Sequence, residues 1–234
     1  ADEIIYHDIV ASLYGRNHLT NFLKRTAKNI FLPITVGGGI KNIQNIKEAL
    51  ENGADRIFCN TSFLKSKKFI RTSVQNFGSS TIVASIEVAK VKNKYICFTD
   101  FGREETQIDI EKALDIFHEE NIGELIITSI DSDGRGEGFD LKLAEILGEK
   151  VKIPYIINGG FGKLSHFDDV FECCTPSGIA LGSMLHYQNK NIPLNDIDGN
   201  KSFLKSNREF LDFEKNNISI IKRYLKKFKK FEIR

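Results

Sequence analysis

The chain has 234 residues, of which 41% are hydrophobic, and this is enough to bury the core of a single domain. Its 33 basic and 31 acidic residues give a net charge of +2, so the overall charge favours neither nucleic acid nor an anionic membrane as a partner. No apolar run approaches the length that spans a bilayer. The four cysteines lack the spacing of a metal site, and we expect a cytoplasmic protein with reduced thiols, no metal and no cofactor.

Short apolar runs alternate with amphipathic stretches along the chain, which is the pattern of βα units around a parallel sheet. Strands are predicted at 3–9, 33–36, 55–59, 81–87, 124–130, 153–157 and 178–181. Helices are predicted at 17–29, 42–52, 63–76, 109–121, 140–149, 165–174 and 217–228. A hairpin through 90–94 should lead into a further strand at 95–99, and the polar stretch 188–217 is interpreted as an insertion before the last helix.

The last predicted helix is rich in lysine, which raises the question of nucleic acid. Its apolar residues, among them Ile221, Tyr224, Leu225 and Phe228, recur at helical spacing. This pattern is typical of an amphipathic helix with a solvated basic face, and we expect no nucleic-acid binding there.

The sequence contains an internal repeat with a period of 121 residues. Residues 33–40, PITVGGGI, resemble residues 154–161, PYIINGGF, and Glu3 stands 121 positions before Glu124. The repeat predicts one (β/α)8 TIM barrel over residues 1–234, built from two half-barrels that meet near 78–80. By the same offset, the first βα unit would lie ahead of Ala1, so we expect it to be missing from this chain. An open doubly wound sheet is the alternative.

Glycines and polar residues follow the predicted strands at matching points of the two halves. In the first half these residues are Gly39, Asn60 and Thr61. Their second-half counterparts are Asp133, Gly134, Asn158, Gly160, Gly182 and Ser183. Active sites of barrels lie at the carboxyl ends of the strands, and glycine lets backbone N–H groups approach an anion closely. The pattern therefore predicts two phosphate sites at one barrel mouth, which suits an elongated ligand with a phosphate at each end.

These motifs, in this order, resemble the cyclase subunit of imidazole glycerol phosphate synthase, the HisF family. The matching stretches are 8–12, 35–40, 53–56, 60–61, 128–134, 158–163 and 166–167. The resemblance implies a lyase-type enzyme of histidine biosynthesis that acts on a bisphosphate ribulosyl nucleotide and yields imidazole glycerol phosphate and AICAR. It also implies a glutaminase partner at the barrel floor, the amino-terminal end of the strands, which sends ammonia along the barrel axis.

The resemblance also assigns roles to single residues. Substrate contacts would come from Gly39, Asn60, Thr61, Thr128, Asp133, Gly134, Asn158, Gly160, Gly182 and Ser183. Glu3, Arg56 and Glu124 would form the ammonia gate at the floor. The residue pattern alone favours a different interpretation of these three, a salt-bridged plug that closes the barrel.

Glu87 is the predicted catalytic carboxylate, at the end of the fifth strand, where the family has Asp. The extra methylene moves the carboxylate by about a bond length, and misplacement of about 1 Å can cost roughly 100-fold in rate. Its partner carboxylate would lie in the segment expected ahead of Ala1. Glu87 and the insertion thus favour an alternative, a HisF-like ammonia-channelling subunit for a nucleotide-sugar amidotransferase of surface-polysaccharide biosynthesis, with little or no cyclase activity. A sugar-isomerase barrel of the same superfamily is a third hypothesis.

Overall fold

The computed structural model describes residues 1–9, 23–27, 29–188 and 213–228. Its strands are β1 (Ile4–His7), β2 (Ile34–Gly37), β3 (Arg56–Cys59), β4 (Ile82–Val91), β5 (Lys94–Thr99), β6 (Glu104–Asp109), β7 (Glu124–Ser129), β8 (Tyr155–Asn158) and β9 (Gly178–Ala180). Seven of them form a parallel sheet in the order β1-β2-β3-β4-β7-β8-β9, and β5 pairs antiparallel with both β4 and β6. The order never reverses, so the sheet lacks the switch point of a doubly wound fold and has the architecture of a (β/α) barrel.

Along the described part of the chain, helices follow the parallel strands, and the last two come after β9. The helices are α1 (Ile43–Glu51), α2 (Thr61–Lys65), α3 (Lys67–Phe77), α4 (Ile110–Glu119), α5 (Leu141–Lys150), α6 (His166–Cys173), α7 (Ser183–Gln188) and α8 (Ile218–Leu225). Several begin at a side chain that accepts a hydrogen bond from the first turn, as Asp109 does from the Lys112 N–H at 2.9 Å. None of the helices in the described ranges is long and apolar enough to cross a membrane.

All seven predicted parallel strands are present, and the predicted hairpin is confirmed by the pairing of β4 with β5. The helix predicted at 63–76 is wrong as a single element, because it breaks at Ser66, whose backbone is extended. The Ser66 hydroxyl then accepts from the Phe69 N–H at 3.2 Å and starts α3 as a new helix. Residues 189–212 of the insertion, and most of the helix predicted at 17–29, lie outside the described residues.

Side chains of the strands alternate between two apolar clusters. On β4, Ile82, Ala84, Ile86 and Val88 pack outward against the helices. Val83 faces the barrel interior, where it contacts buried residues of other strands, namely Phe58, Ile126 and Ile156. The same alternation turns Glu87, four residues after Val83, towards the interior at the barrel mouth.

Candidate active site

Both predicted glycine loops lie at the carboxyl ends of strands, which form the barrel mouth. Gly38 follows β2 with φ of 104°, and a side chain there would collide with the backbone of Asp8. Gly160 follows β8 with φ of 102°, and a side chain there would collide with the carbonyl of Gly138. Glycine is therefore required at both turns, because φ is positive and the neighbouring backbone leaves no room for Cβ.

The structure brings six of the predicted substrate-binding residues together in one pocket, hereafter the second-half pocket. They are Asp133, Gly134, Asn158, Gly160, Gly182 and Ser183. Among the described residues, no group accepts a hydrogen bond from the amides of Gly160, Gly182 or Ser183. Three amide donors around one pocket can bind the oxygens of a phosphate group.

Thr128 lies next to this pocket rather than in its lining. Its hydroxyl accepts a hydrogen bond from the Asn158 side-chain amide at 3.1 Å, across the parallel pair β7 and β8. Thr128 thereby holds the Asn158 side chain at the edge of the pocket. It also stands opposite Glu87 in the pairing of β4 with β7.

The first-half residues lie at the ends of β2 and β3. Gly39 follows β2, while Asn60 follows β3 and Thr61 begins α2. The Thr61 hydroxyl accepts from the backbone N–H of Asp100 at 3.1 Å. Both polar atoms of the Asn60 side chain are buried without a hydrogen-bond partner among the described residues. A buried amide of this kind leaves room for a ligand to supply the missing bonds.

Glu87 is 91% buried, and this desolvation is the main reason that its pKa rises from 4.5 to about 7. The negative charges of Asp133 and Asp100 add to the rise. The Gly102 backbone N–H opposes it, as does the Asn60 amide, which faces the carboxylate without regular hydrogen-bond geometry. A carboxyl group with a pKa near 7 can donate or accept a proton at neutral pH.

A short loop between β5 and β6, Asp100–Gly102, lies over the mouth, and we call it the mouth loop. All three of its residues have positive φ, at 49°, 59° and 71°, although only the last is glycine. Asp100 of the loop contacts the first-half residues, and Gly102 contacts Glu87. Strain of this kind persists only where the surroundings hold it, and it is common at functional sites.

The three predicted gate residues meet at the barrel floor. Arg56 pairs with Glu3, its Nη1 lying 3.5 Å from a carboxylate oxygen, and it forms a second ion pair with Glu124. The Thr35 hydroxyl donates to Glu3 and completes the cluster. The side chains are only 14–24% exposed, so this cluster closes the floor with paired charges.

Phe58 occupies the barrel interior between the floor cluster and the mouth. Its ring lies directly over Gly37, where any side chain would collide with it. The ring centroid is 5.0 Å from that of His7, which in turn lies 5.0 Å from the ring of Phe101 in the mouth loop. Burial lowers the pKa of His7 to about 4 against the opposing charge of Asp8, so this histidine is neutral at physiological pH.

Comparison with known proteins identifies the family. Residues 1–191 match the family described as "Histidine biosynthesis protein". The chain is 43% identical over 169 residues to "Imidazole glycerol phosphate synthase subunit HisF" of Legionella pneumophila, covering 72% of this chain and 80% of that protein. It belongs to the HisF family. The protein of the same name from Clostridium botulinum (strain Okra / Type B1) is 38% identical over 207 residues, covering 88% of this chain and 80% of that protein. The one from Sulfurisphaera tokodaii is 40% identical over 172 residues, covering 74% and 69%.

Two features of this HisF-family chain are not among the site residues predicted from the sequence. One is the mouth loop, whose signal in the sequence is only the polar, glycine-containing stretch after Thr99. The other is the aromatic contact of Phe58 with His7, which depends on the registry of three neighbouring strands. No group of three or more His, Cys, Asp or Glu side chains is placed to hold a metal within the described ranges.

Proposed function

We propose that this chain is the cyclase subunit of an imidazole glycerol phosphate synthase. It would use ammonia from a glutaminase subunit on a bisphosphate ribulosyl nucleotide and release imidazole glycerol phosphate and AICAR. The observation that carries the proposal is the pairing of two glycine loops at one mouth with the buried carboxyl group of Glu87 between them. The names of the relatives point to the same reaction.

The two ends of the substrate would bind in different halves of the barrel. The second-half pocket offers the amides of Gly160, Gly182 and Ser183 to one phosphate. The other phosphate would meet Gly39, Asn60 and Thr61. Binding at both ends would place the middle of the substrate, where ammonia attacks, beside Glu87. This arrangement lowers the barrier by holding the reacting groups in position.

Glu87 would move protons during ammonia attack and ring closure. Nitrogen loses a proton as it forms its bond to carbon, and the carbonyl oxygen that it attacks gains one. A carboxyl group with a pKa near 7 is present in both protonation states at neutral pH, so it can serve either step. The second carboxylate that the family resemblance implies would belong to the expected first βα unit.

Ammonia would enter at the floor, where Glu3, Arg56 and Glu124 act as a gate below the docked glutaminase. Above them the interior is lined by apolar side chains, including Val83, Ile126 and Ile156. An apolar passage favours neutral ammonia over the ammonium ion, because burying a charge without a partner is costly. Ammonia on this route would pass the ring of Phe58.

Turnover of the purified full chain with the bisphosphate nucleotide and excess ammonium salt tests the proposal without the partner. We expect substrate binding and release of an imidazole product, with AICAR in equal amount. Absence of both binding and product would refute the cyclase function. Addition of the glutaminase subunit with glutamine in place of ammonium then tests the channel.

The length of Glu87 favours one alternative, a subunit that channels ammonia to a nucleotide-sugar amidotransferase. The Glu87 carboxylate stands one methylene further from the backbone than the family's Asp would. This position suits a barrel whose function does not require cyclase activity. This chain would then stimulate its glutaminase partner and lack turnover of the bisphosphate nucleotide. The turnover measurement described above separates the two functions.

A further inference from the structure

The segment 213–216, which leads from the insertion into α8, is hydrogen-bonded to the loop after β8. The backbone N–H of Glu214 donates to the carbonyl of Gly162 at 3.0 Å. In return, the Glu214 carboxylate accepts from the backbone N–H of Leu164 at 2.8 Å. The buried Asn216 side chain donates to the same carboxylate oxygen at 2.8 Å and fixes its orientation. We call residues 213–216 the clamp segment.

The clamp segment also packs against the neighbouring loop, which follows β7. The ring of Phe213 covers Gly136, and a side chain at that position would come within 2.6 Å of the ring. Gly136 in turn lies against Gly162, where a side chain would collide with the Gly136 carbonyl. One short segment therefore contacts two of the three loops that build the second-half pocket.

Two further polar groups of the loop after β8 are also paired. The Gly138 N–H donates to the Gly160 carbonyl at 2.8 Å, and the Gly162 N–H donates to Nδ1 of His166 at 3.2 Å. His166 is buried, and both burial and the charge of Lys163 lower its pKa, so the ring is neutral and Nδ1 can accept. The loop thus has fixed contacts behind the pocket, while the Gly160 amide is left to a ligand.

We propose that the clamp segment positions the second-half phosphate loop, with Glu214 as its main positioning residue. The hydrogen bonds of Glu214 would hold residues 160–164 in the shape that presents the Gly160 amide to the phosphate group. The inference rests on the proposed function, because it presupposes a phosphate group in the second-half pocket. The clamp segment does not line the second-half pocket. In this proposal it nevertheless affects phosphate binding there.

The test is a titration of the full-length, isotope-labelled protein with inorganic phosphate, followed by NMR at the amides of Gly160 and Gly182 and, for the first half, Gly39. Glu214→Ala should weaken phosphate binding at the second-half amides by about 3- to 10-fold, because a charged hydrogen bond to Leu164 is lost. Binding at Gly39 should not change. Glu214→Gln keeps an oxygen acceptor, so its phosphate affinity at the second-half amides should lie between those of wild type and Glu214→Ala.

Hydrogen exchange of the Leu164 amide gives a second measurement that needs no ligand. It should become faster in Glu214→Ala and remain at the wild-type rate in Glu149→Ala, a matched change of an exposed glutamate on α5. Faster exchange with unchanged phosphate affinity would show that the clamp segment has only a structural role, and it would overturn the inference. Equal weakening at both phosphate sites would also overturn it.

A wild-type protein that shows no phosphate response at Gly160 and Gly182 would refute the phosphate site itself, and the positioning role with it. A wild-type response that Glu214→Ala leaves unchanged would refute the positioning role alone. The two failures are therefore distinguishable.

Discussion

The two halves of the barrel carry matching glycine loops but support them by different contacts. In both halves a glycine packs closely on a neighbouring backbone, Gly38 on Asp8 and Gly160 on Gly138, but in the second half Glu214 also bonds the outer side of the loop. In the first half, the Thr61 hydroxyl accepts from Asp100 of the mouth loop, and Asn60 has no hydrogen-bond partner among the described residues. Both sites leave donors for a ligand, but the second-half loop is bonded on its outer side by Glu214, whereas the first-half site contains a buried side-chain amide, that of Asn60, without a partner among the described residues.

This difference matches a division of labour within the proposed reaction. Glu87 lies on β4, after the expected boundary of the halves, and its buried side chain faces Asn60 and the mouth loop, where Asp100 and Phe101 have positive φ. The second-half pocket contains paired backbone and open amides instead. The repeated motif thus gives both halves the same glycine turns, while the contacts that other segments make with those turns differ between the halves.

The largest effect expected from this comparison is on turnover. Glu87→Gln keeps the shape of the side chain but cannot exchange a proton, so the ammonium-dependent kcat should fall by about 10²- to 10⁴-fold. Phosphate binding in the second-half pocket should stay at the wild-type value. A variant that loses phosphate binding together with turnover would contradict the separation of proton transfer at Glu87 from phosphate binding in the second-half pocket.

The raised pKa of Glu87 predicts a stability effect of about 3 kcal/mol. The folded protein binds this proton more tightly than the unfolded chain does, so its contribution is complete below the ordinary pKa of 4.5 and is lost as the pH rises through about 7. Urea unfolding of wild type and Glu87→Gln at both ends of this range measures the difference. The variant should gain relative stability at the higher pH, and a constant difference would place Glu87 in a solvated environment.

Alanine at two glycines of the second-half pocket sharpens the comparison on that side. Gly160→Ala forces a positive φ on alanine, which costs about 1–3 kcal/mol, and its Cβ would displace the Gly138 backbone. Gly182→Ala is the matched control, because nothing lies within 4 Å of the added Cβ. Urea unfolding and phosphate titration should show a large loss for the first variant and little for the second. Equal losses would argue against a preformed loop.

The smallest expected effect concerns the floor, where equivalent residues of the two halves bind the same arginine. Glu124 is 14% exposed and Glu3 is 24% exposed, so the ion pair of Glu124 with Arg56 is less screened by solvent. Glu124→Gln should lower the free energy of unfolding by about 1 kcal/mol and Glu3→Gln by less. Urea unfolding checks the order, and a larger loss for Glu3→Gln would reverse the comparison.

The repeat and the hydrophobic pattern predict much of this fold, because the strands and turns concerned are determined by residues close together in the chain. Strand β2 and the loop with Gly39, for example, follow from an apolar run that ends in glycines. The sequence does not predict strand β6, because EETQID has no apolar alternation and, within the described ranges, the strand pairs with β5 alone. The break at Ser66 was missed because a serine inside an amphipathic pattern gives no sign of capping a new helix.

The candidate site likewise contains features that the local sequence predicts and features that depend on distant segments. The pocket residues follow from strand ends, which parallel strands bring to one edge of the sheet. The positive φ at Asp100 and Phe101, the contact of Phe58 with His7 and the bonds of Glu214 each depend on segments far apart in the chain. The first βα unit ahead of Ala1 stays a prediction, as does the boundary of the half-barrels near 78–80.

The fit of Phe58 over Gly37 has a consequence for sequence variation in the barrel interior. The two residues stand opposite each other in the pairing of β2 with β3, and the ring fills the volume that glycine leaves free. A side chain at position 37 and an aromatic ring at position 58 exclude each other. The side-chain volumes at positions 37 and 58 therefore constrain each other. The effect of a substitution at either position depends on the residue at the other.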